Sequence, residues 1–419
     1  MKAVIVGLGY VGLPLAIAAA EAGVQVTGLD KNEEIVSGLT VGRSHIDDFT
    51  DADIASLVAT GFTATTDSAV IAEADIVVIC VPTPLNRAGE PDLAAVMAAS
   101  RDIAANASAG LTVVLESTTY PGTTEEVLQP ILEERGFTIG SDLFLAFSPE
   151  RIDPGNPTFG ITNTPKIVGG VTKACGDKAA AFYERFIDTV VRAKGTREAE
   201  TAKLLENTYR HINIALVNEM AQLCHAMGID IWDVVDLAKT KPFGFQSFRP
   251  SAGVGGHCIP IDPNYLAFKV RAELSRPFQF IELAEEVNSG MPGYVAQRMA
   301  ALLQAHHSNI SGSTVTLLGV TYKPNISDKR ESPAVPLAEK LIELGATVKY
   351  VDPFVDDWSI NGSPIERFAS VQDALAESHA AIIVQAHSDF VAAADVLASS
   401  RTPLLDATGR FTGEHLERL

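Results

Sequence analysis

Residues 1–30, MKAVIVGLGYVGLPLAIAAAEAGVQVTGLD, hold the pattern on which the fold turns. Lys2 to Val6 is a short β-branched run that predicts a strand, and it ends in GLGYVG, with Gly7, Gly9 and Gly12 in the spacing GxGxxG. An amphipathic Ala-rich helix is expected to about Glu21, then a second strand, VQVTGLD, ending at Asp30. Alone, the glycine spacing is a weak pattern. Strand, glycine turn, helix, strand and a carboxylate at the right distance supply its full context. The glycines permit a tight turn and let a pyrophosphate reach the helix N-terminus, where unpaired N–H groups and the dipole favour negative charge. Gly7, Gly9, Tyr10, Val11 and Gly12 are the expected cradle, and Asp30 the expected acceptor for ribose hydroxyls. A carboxylate there repels a 2′-phosphate, so NAD is preferred to NADP, with Lys31 as the neighbouring cation that softens the repulsion.

Further strand-to-loop passages follow in the same register. ADIVVICVPTPL ends at Pro82, Thr83 and Pro84; LTVVLESTTYPGTT ends at Ser117 and Thr118; DLFLAFSPERIDPGNP delivers Glu150 and Arg151. Parallel sheets place ligands at the carboxyl ends of their strands, so these loops should close over the cofactor or the reacting carbon. TPKIVGG, residues 164–170, is expected to be the last strand of this domain.

After about Gly195 the period changes. Thr196 to Met227 has apolar positions recurring at three and four residues with no Gly or Pro before Met227, which predicts one long helix with Lys203 and Asn207 on one face and Arg210 and His211 a turn further on. A second helix is expected from Phe278 to about Ser289. A helical spine of this length suits packing against its copy, so a homodimer or larger assembly is expected. From Thr314 the βα alternation returns without GxGxxG, predicting a second doubly wound sheet. Its first loop, YKPNISDKRESP, carries Lys323, Asp328, Lys329, Arg330 and Glu331, a candidate clamp for the phosphates of a nucleotide. The expected α/β architecture is two Rossmann-like doubly wound parallel sheets, in residues 1–195 and 296–419, joined by an all-helical middle at 196–295.

GVGGHCIPIDP, residues 253–263, stands apart from these periodic runs. Three glycines ahead of Cys258 let backbone amides approach a bound group and stabilise a thiolate, and two prolines with Asp262 point to a rigid turn. A free cysteine is most often a small buried hydrophobe, but such a residue belongs in an apolar run. Cys258 is therefore expected to be a nucleophile. Neighbours in sequence on an extended loop point apart, so His257 is expected to be a structural histidine rather than the partner of the thiol.

With 419 residues, 47% of them apolar, the chain has material for several cores. A net charge of -20 argues against nucleic acid, which requires clustered Lys and Arg. Cys80, Cys175, Cys224 and Cys258 form no CxxC pair, so neither a metal site nor a disulfide framework is expected, and a reducing, cytoplasmic compartment is. Neither a signal peptide nor an apolar run of the roughly 18 residues that cross a membrane is legible.

GLGYVGLPLA, PTPL, ESTTYPGTT, FSPERIDPGNP, KLLENTYRHINIAL, GVGGHCIPIDP and VTYKPNISDKRESP, in this order, resemble the nucleotide-sugar dehydrogenases that oxidise C6 of a UDP-hexose. The resemblance covers essentially the whole chain. It implies a four-electron oxidation to the carboxylate with two NAD, through a Cys258 thiohemiacetal and thioester. It further implies that Lys203 and Asn207 stabilise developing oxygen charge, Asp262 orients the lysine or water, and Thr118 and Glu150 hold the hydrolytic water. Gly7, Gly9, Gly12, Asp30, Thr83 and Thr118 match cofactor contacts, and Arg151, Lys203, Asn207, Arg210, Phe248, Gly255, Lys323 and Arg330 substrate contacts. Arg249 stands where the family places a basic residue near the nucleotide. SPERIDPGNP followed by NTPKIVGG is similar to the branch acting on UDP-N-acetylhexosamines, and Asp153 favours UDP-N-acetyl-D-glucosamine. UDP-glucose and UDP-N-acetyl-D-mannosamine are the alternatives. The family expectation for the pathway is polysaccharide precursor supply. Two readings from other classes compete: a two-electron β-hydroxyacid-type dehydrogenase, which needs neither the loop cysteine nor the last domain, and a sensor that binds without turnover.

Overall fold

The computed structural model describes all residues except 87–88, 153–155, 157 and 257–258. The chain falls into two compact units, Met1–Glu206 with Ile261–Arg276, and Asn207–Pro260 with Pro277–Leu419. Residues of the helical stretch 196–295 occur in both.

The first unit is built on eight strands: β1 (Lys2–Val6), β2 (Gln25–Leu29), β3 (Thr63–Thr65), β4 (Ile76–Ile79), β5 (Thr112–Leu115), β6 (Phe144–Phe147), β7 (Lys166–Gly170) and β8 (Val190–Arg192). Their order in the sheet is β3-β2-β1-β4-β5-β6-β7-β8. The first six form the doubly wound dinucleotide-binding order, all parallel. Strand residues alternate between two buried cores, Ala3, Ile5, Ile76 and Val78 in one and Val4, Val6, Val77 and Ile79 in the other. A period of two with both faces covered explains why these strands read as unbroken apolar runs. TPKIVGG departs from expectation: β7 pairs antiparallel with β6, and β8 extends the sheet beyond it in parallel. The short run Val190–Arg192 has only three residues and little apolar burial, too few to reveal a strand in the sequence.

The second unit holds β9 (Thr314–Leu318), β10 (Thr347–Val351), a hairpin of β11 (Ser359–Ile360) and β12 (Ser363–Pro364), then β13 (Glu366–Arg367), β14 (Ala380–Ile383), β15 (Leu404–Asp406) and β16 (Leu416–Arg418). Its sheet runs β13-β10-β9-β14-β15-β16, all parallel. The expected long helix is present as Thr196–Ala226. The expected Phe278–Ser289 helix instead continues as Gln279–Ala305, with Pro292 inside it. Asp262, expected in a turn, opens the helix Asp262–Leu274, with Pro263 in its first turn, where a missing N–H costs nothing.

Candidate active site

The glycine turn in the first unit has the geometry its spacing requires. Gly7 sits at φ +89°, and its N–H donates to Leu29 O at 2.8 Å. A Cβ on Gly12 would lie 1.8 Å from Gly7 O, so no side chain fits there, whereas the space above Gly9 is open. Asp30 is pinned at the tip of β2, with Oδ2 accepting from Leu8 N–H at 2.8 Å and Oδ1 from Asn32 N–H at 2.9 Å. Each oxygen keeps a lone pair for a hydroxyl. A crowded turn, an open approach at Gly9 and a fixed, half-exposed carboxylate fit a dinucleotide. Tyr10 and Val11 lean on the core, and Lys31 is exposed.

The loops after β4 and β5 are tied together by Ser117 Oγ, which donates to Val81 O at 2.7 Å. Thr118 is half-buried on the second loop, and on the first Pro82 is exposed and Thr83 half-buried. Beyond β6, Glu150 and Lys203 form a buried pair in which Lys203 Nζ donates to the Glu150 carbonyl at 2.8 Å and to its carboxylate at 3.0 Å. The other Glu150 oxygen accepts from Ile152 N–H. The Arg151 guanidinium is engaged by Glu206 and donates to Pro165 O at 2.7 Å, so in this conformation its charge is already matched. Asp262 is buried in the first turn of its helix.

That helix is fastened to the loops by residues the sequence did not single out. Tyr265 OH donates to Thr83 O at 3.0 Å, and burial pushes its phenol well above the ordinary range, so it stays a donor. Lys269 Nζ reaches Glu126 at 2.7 Å, and Phe268 packs on Tyr120 with centroids 5.8 Å apart. Glu200, also missed, is fully buried one helical turn before Lys203 and accepts from Gly122 N–H at 2.6 Å, Thr124 N–H at 2.9 Å and Thr124 Oγ at 2.7 Å. In sequence it is one more acid in a charged helix start.

In the second unit Asn207 is buried and Arg210 exposed. Phe248 packs edge-on against Tyr209 with centroids 5.8 Å apart. Arg249 is exposed, 3.4 Å from Asp236 and 5.8 Å from the Trp232 ring. A Cβ on Gly255 would stand 2.7 Å from Glu331 O, so the glycine stretch lies directly on the loop that follows β9. On that loop Lys323 is half-buried, and Arg330 lays two N–H groups on the Asp328 carboxylate at 2.9 and 2.7 Å. Cys258, His257 and Asp153 lie outside the described residues. Cys80, Cys175 and Cys224 are buried free thiols, and no described group of His, Cys, Asp or Glu has the geometry of a metal site.

A dinucleotide sheet with a lysine-bearing helix at its loops defines an NAD-dependent dehydrogenase. Family models described as "UDP-glucose/GDP-mannose dehydrogenase family" match as NAD binding domain over residues 1–187, central domain over 197–290 and UDP binding domain over 316–409. The chain belongs to this family, and it is an NAD-dependent nucleotide-sugar dehydrogenase. It is 34% identical to the UDP-N-acetyl-D-mannosamine dehydrogenase of Escherichia coli K12 over 92% of this chain and 93% of that protein. To the UDP-N-acetyl-D-glucosamine 6-dehydrogenase of Pseudomonas aeruginosa it is 35% identical, over 85% and 83%. The structure of UDP-D-ManNAc dehydrogenase from Pyrococcus horikoshii superposes with a TM-score of 0.90 at 29% identity, covering 100% of this chain and 99% of that one. No described helix is long and apolar enough to cross a membrane.

Proposed function

We propose that this enzyme oxidises the C6 alcohol of a UDP-N-acetylhexosamine to the carboxylate without releasing the aldehyde. The observation that carries the reading is the buried Lys203–Glu150 pair beside the loops of the first sheet, a cation and a carboxylate kept from solvent where oxygen charge must be handled. Two molecules of NAD supply the acceptors for the two hydrides that C6 loses. Between those losses the Cys258 sulfur adds to the aldehyde carbon, forming the C–S bond of a thiohemiacetal. Lys203 and Asn207 stabilise the oxygen charge, and Asp262 orients Lys203 or water. After the second hydride is lost, water held by Thr118 and Glu150 cleaves the thioester, giving the carboxylate and restoring the thiol. Gly7, Gly9, Gly12, Asp30, Ser117 and Thr83 hold the cofactor; Arg151, Arg210, Phe248, Arg249, Gly255, Lys323 and Arg330 hold the nucleotide sugar. In this reading residues 1–195 serve NAD, 196–295 form the helical middle with the cysteine loop, and 296–419 serve the UDP-sugar.

UDP-N-acetyl-D-glucosamine is the proposed substrate, supported by the Pseudomonas aeruginosa relative. UDP-N-acetyl-D-mannosamine is the second reading, favoured by the Escherichia coli relative and the Pyrococcus horikoshii structure. The proposed setting is cytoplasmic supply of polysaccharide precursors. The test is NADH counted per sugar consumed over a panel of UDP-sugars, for wild type and Cys258→Ser. Two NADH are expected from the preferred sugar, with turnover of the variant falling drastically because serine is the poorer nucleophile. One NADH per sugar means a two-electron dehydrogenase, none a sensor, and unchanged turnover in the variant removes Cys258 from the mechanism.

A further inference from the structure

The second sheet repeats the turn that holds Asp30 in the first. Gly319 has φ +85° where Gly7 has +89°, and each donates its N–H at 2.8 Å to the carbonyl ending the neighbouring strand, Val351 and Leu29. The next N–H goes to an aspartate just past that strand, Val320 to Asp352 Oδ2 at 2.7 Å and Leu8 to Asp30 Oδ2 at 2.8 Å. The other carboxylate oxygen accepts from the residue two further on, Phe354 at 2.8 Å and Asn32 at 2.9 Å. The two carboxylates then differ. Asp30 is half-exposed, whereas Asp352 is fully buried because the His387 imidazole lies against it, Nε2 standing 3.1 Å from Oδ2. Asp352 Oδ2 thus takes a second bond, to the imidazole, beside the one from Val320 N–H.

The other ring nitrogen of His387 faces the loop after β9. Nδ1 accepts from Asn325 N–H at 2.9 Å, which places the ring proton on Nε2, directed at Asp352. Neighbouring bonds run between the same two segments: Ser388 N–H to Asn325 Oδ1 at 2.8 Å, and Gln385 Nε2 to Tyr322 O at 3.0 Å. Phe354 and Phe390 flank the ring, with centroids 5.1 and 5.3 Å away, and it is fully buried. Asn325 itself is held at φ +63°, a conformation that asparagine tolerates better than most residues.

We propose that His387 is a positioning residue for nucleotide binding: anchored by Asp352, it fixes Asn325 and with it the loop carrying Lys323 and Arg330 for a uridine diphosphate group. The inference rests on the reading of that loop as the nucleotide contact. Titration calorimetry of the full-length enzyme with UDP, and separately with NAD, tests it. His387→Gln keeps a donor for Asp352 but lacks the acceptor at Nδ1, and it is expected to weaken UDP about tenfold, the worth of one buried hydrogen bond. His387→Asn restores an acceptor near Nδ1 and is expected to recover part of that affinity. Asn325→Ala, on the exposed loop, removes the oxygen that Ser388 N–H donates to and puts a residue that tolerates φ +63° less well in its place, so it is expected to weaken UDP in the same direction, and NAD affinity should stay at the wild-type value in all three. UDP affinity unchanged in His387→Gln and Asn325→Ala, equal losses in the Gln and Asn variants, or a parallel loss of NAD affinity would each overturn the proposal. Lys323→Ala and Arg330→Ala serve as separate arms: if both bind UDP as wild type does, it is the reading of the loop that fails.

Discussion

Glu200 is a fully buried carboxylate facing three hydrogen-bond donors, and those demands pull its chemistry in opposite directions. Burial pushes its pKa up to about 7, while the donors from Thr124 and Gly122 favour the charged form and limit the rise. A carboxyl group with a raised native pKa stabilises the fold fully below its unfolded value, here 4.5, and that contribution fades as pH climbs through about 7. Glu200→Gln cannot titrate. Across pH 5 to 8, wild type should therefore lose stability relative to this variant by up to about 3 kcal/mol, at ~1.4 kcal/mol per pKa unit. Thermal melts of both proteins over that range check it, and parallel profiles would remove the titration from Glu200. The sequence conceals this residue because its partners are 76 and 78 positions away, whereas the glycines at 7, 9 and 12 declare themselves through spacing alone. Arg151 is concealed for the same reason: it reads as an available cation until Glu206, 55 residues on, is found against it.

Elements were legible where periodicity ran unbroken and illegible where punctuation misled. β1, β2, β4, β5, β6, β7, β9, β10, β14 and β15 and the helix Thr196–Ala226 follow their apolar repeats, whereas the short edge strands β3, β8, β13 and β16 carry too few apolar residues to show one. The helix Asp262–Leu274 was masked by Pro260 and Pro263, which look like turn residues, although a proline in a first turn is equally a helix start. The helix Gln279–Ala305 likewise runs on past Ser289 and through Pro292, a residue that ordinarily interrupts a helix. The hidden helix has a definite task, since Tyr265 ties it to the loop bearing Thr83, while Lys269 and Phe268 tie it to the segment after Thr118. Tyr265→Phe leaves the Thr83 carbonyl without this donor while preserving the packed ring. It is expected to cost about 1 kcal/mol of stability and to raise the KM for NAD several-fold, with the KM for the UDP-sugar unchanged. Steady-state kinetics varying one substrate at a time separate the two constants, and equal KM values for NAD in variant and wild type would detach this bond from cofactor binding.

The whole molecule presents more apolar helix than one copy covers. Along Thr196–Ala226, Val217, Ala221 and Cys224 are buried in the core of the second unit, yet Leu216 and Leu223 on another face are 57% and 51% exposed, with Met227, just past the helix end, exposed beside them. A helix apolar on two faces is normally covered on both. In a chain carrying a net charge of -20, general stickiness does not account for a row of large apolar side chains at helical spacing. A second copy of the chain presenting the same row is self-complementary, as a two-fold interface requires. The enzyme is therefore expected to elute as a dimer, with light scattering giving the mass of two 44.4 kDa chains. Leu216→Asp combined with Leu223→Asp, placing like charges opposite one another across the two-fold, should yield the mass of one chain while the far-ultraviolet circular dichroism stays that of the wild type. A wild-type protein with the mass of a single chain at micromolar concentration, or a double variant that remains dimeric, would take the interface away from this face.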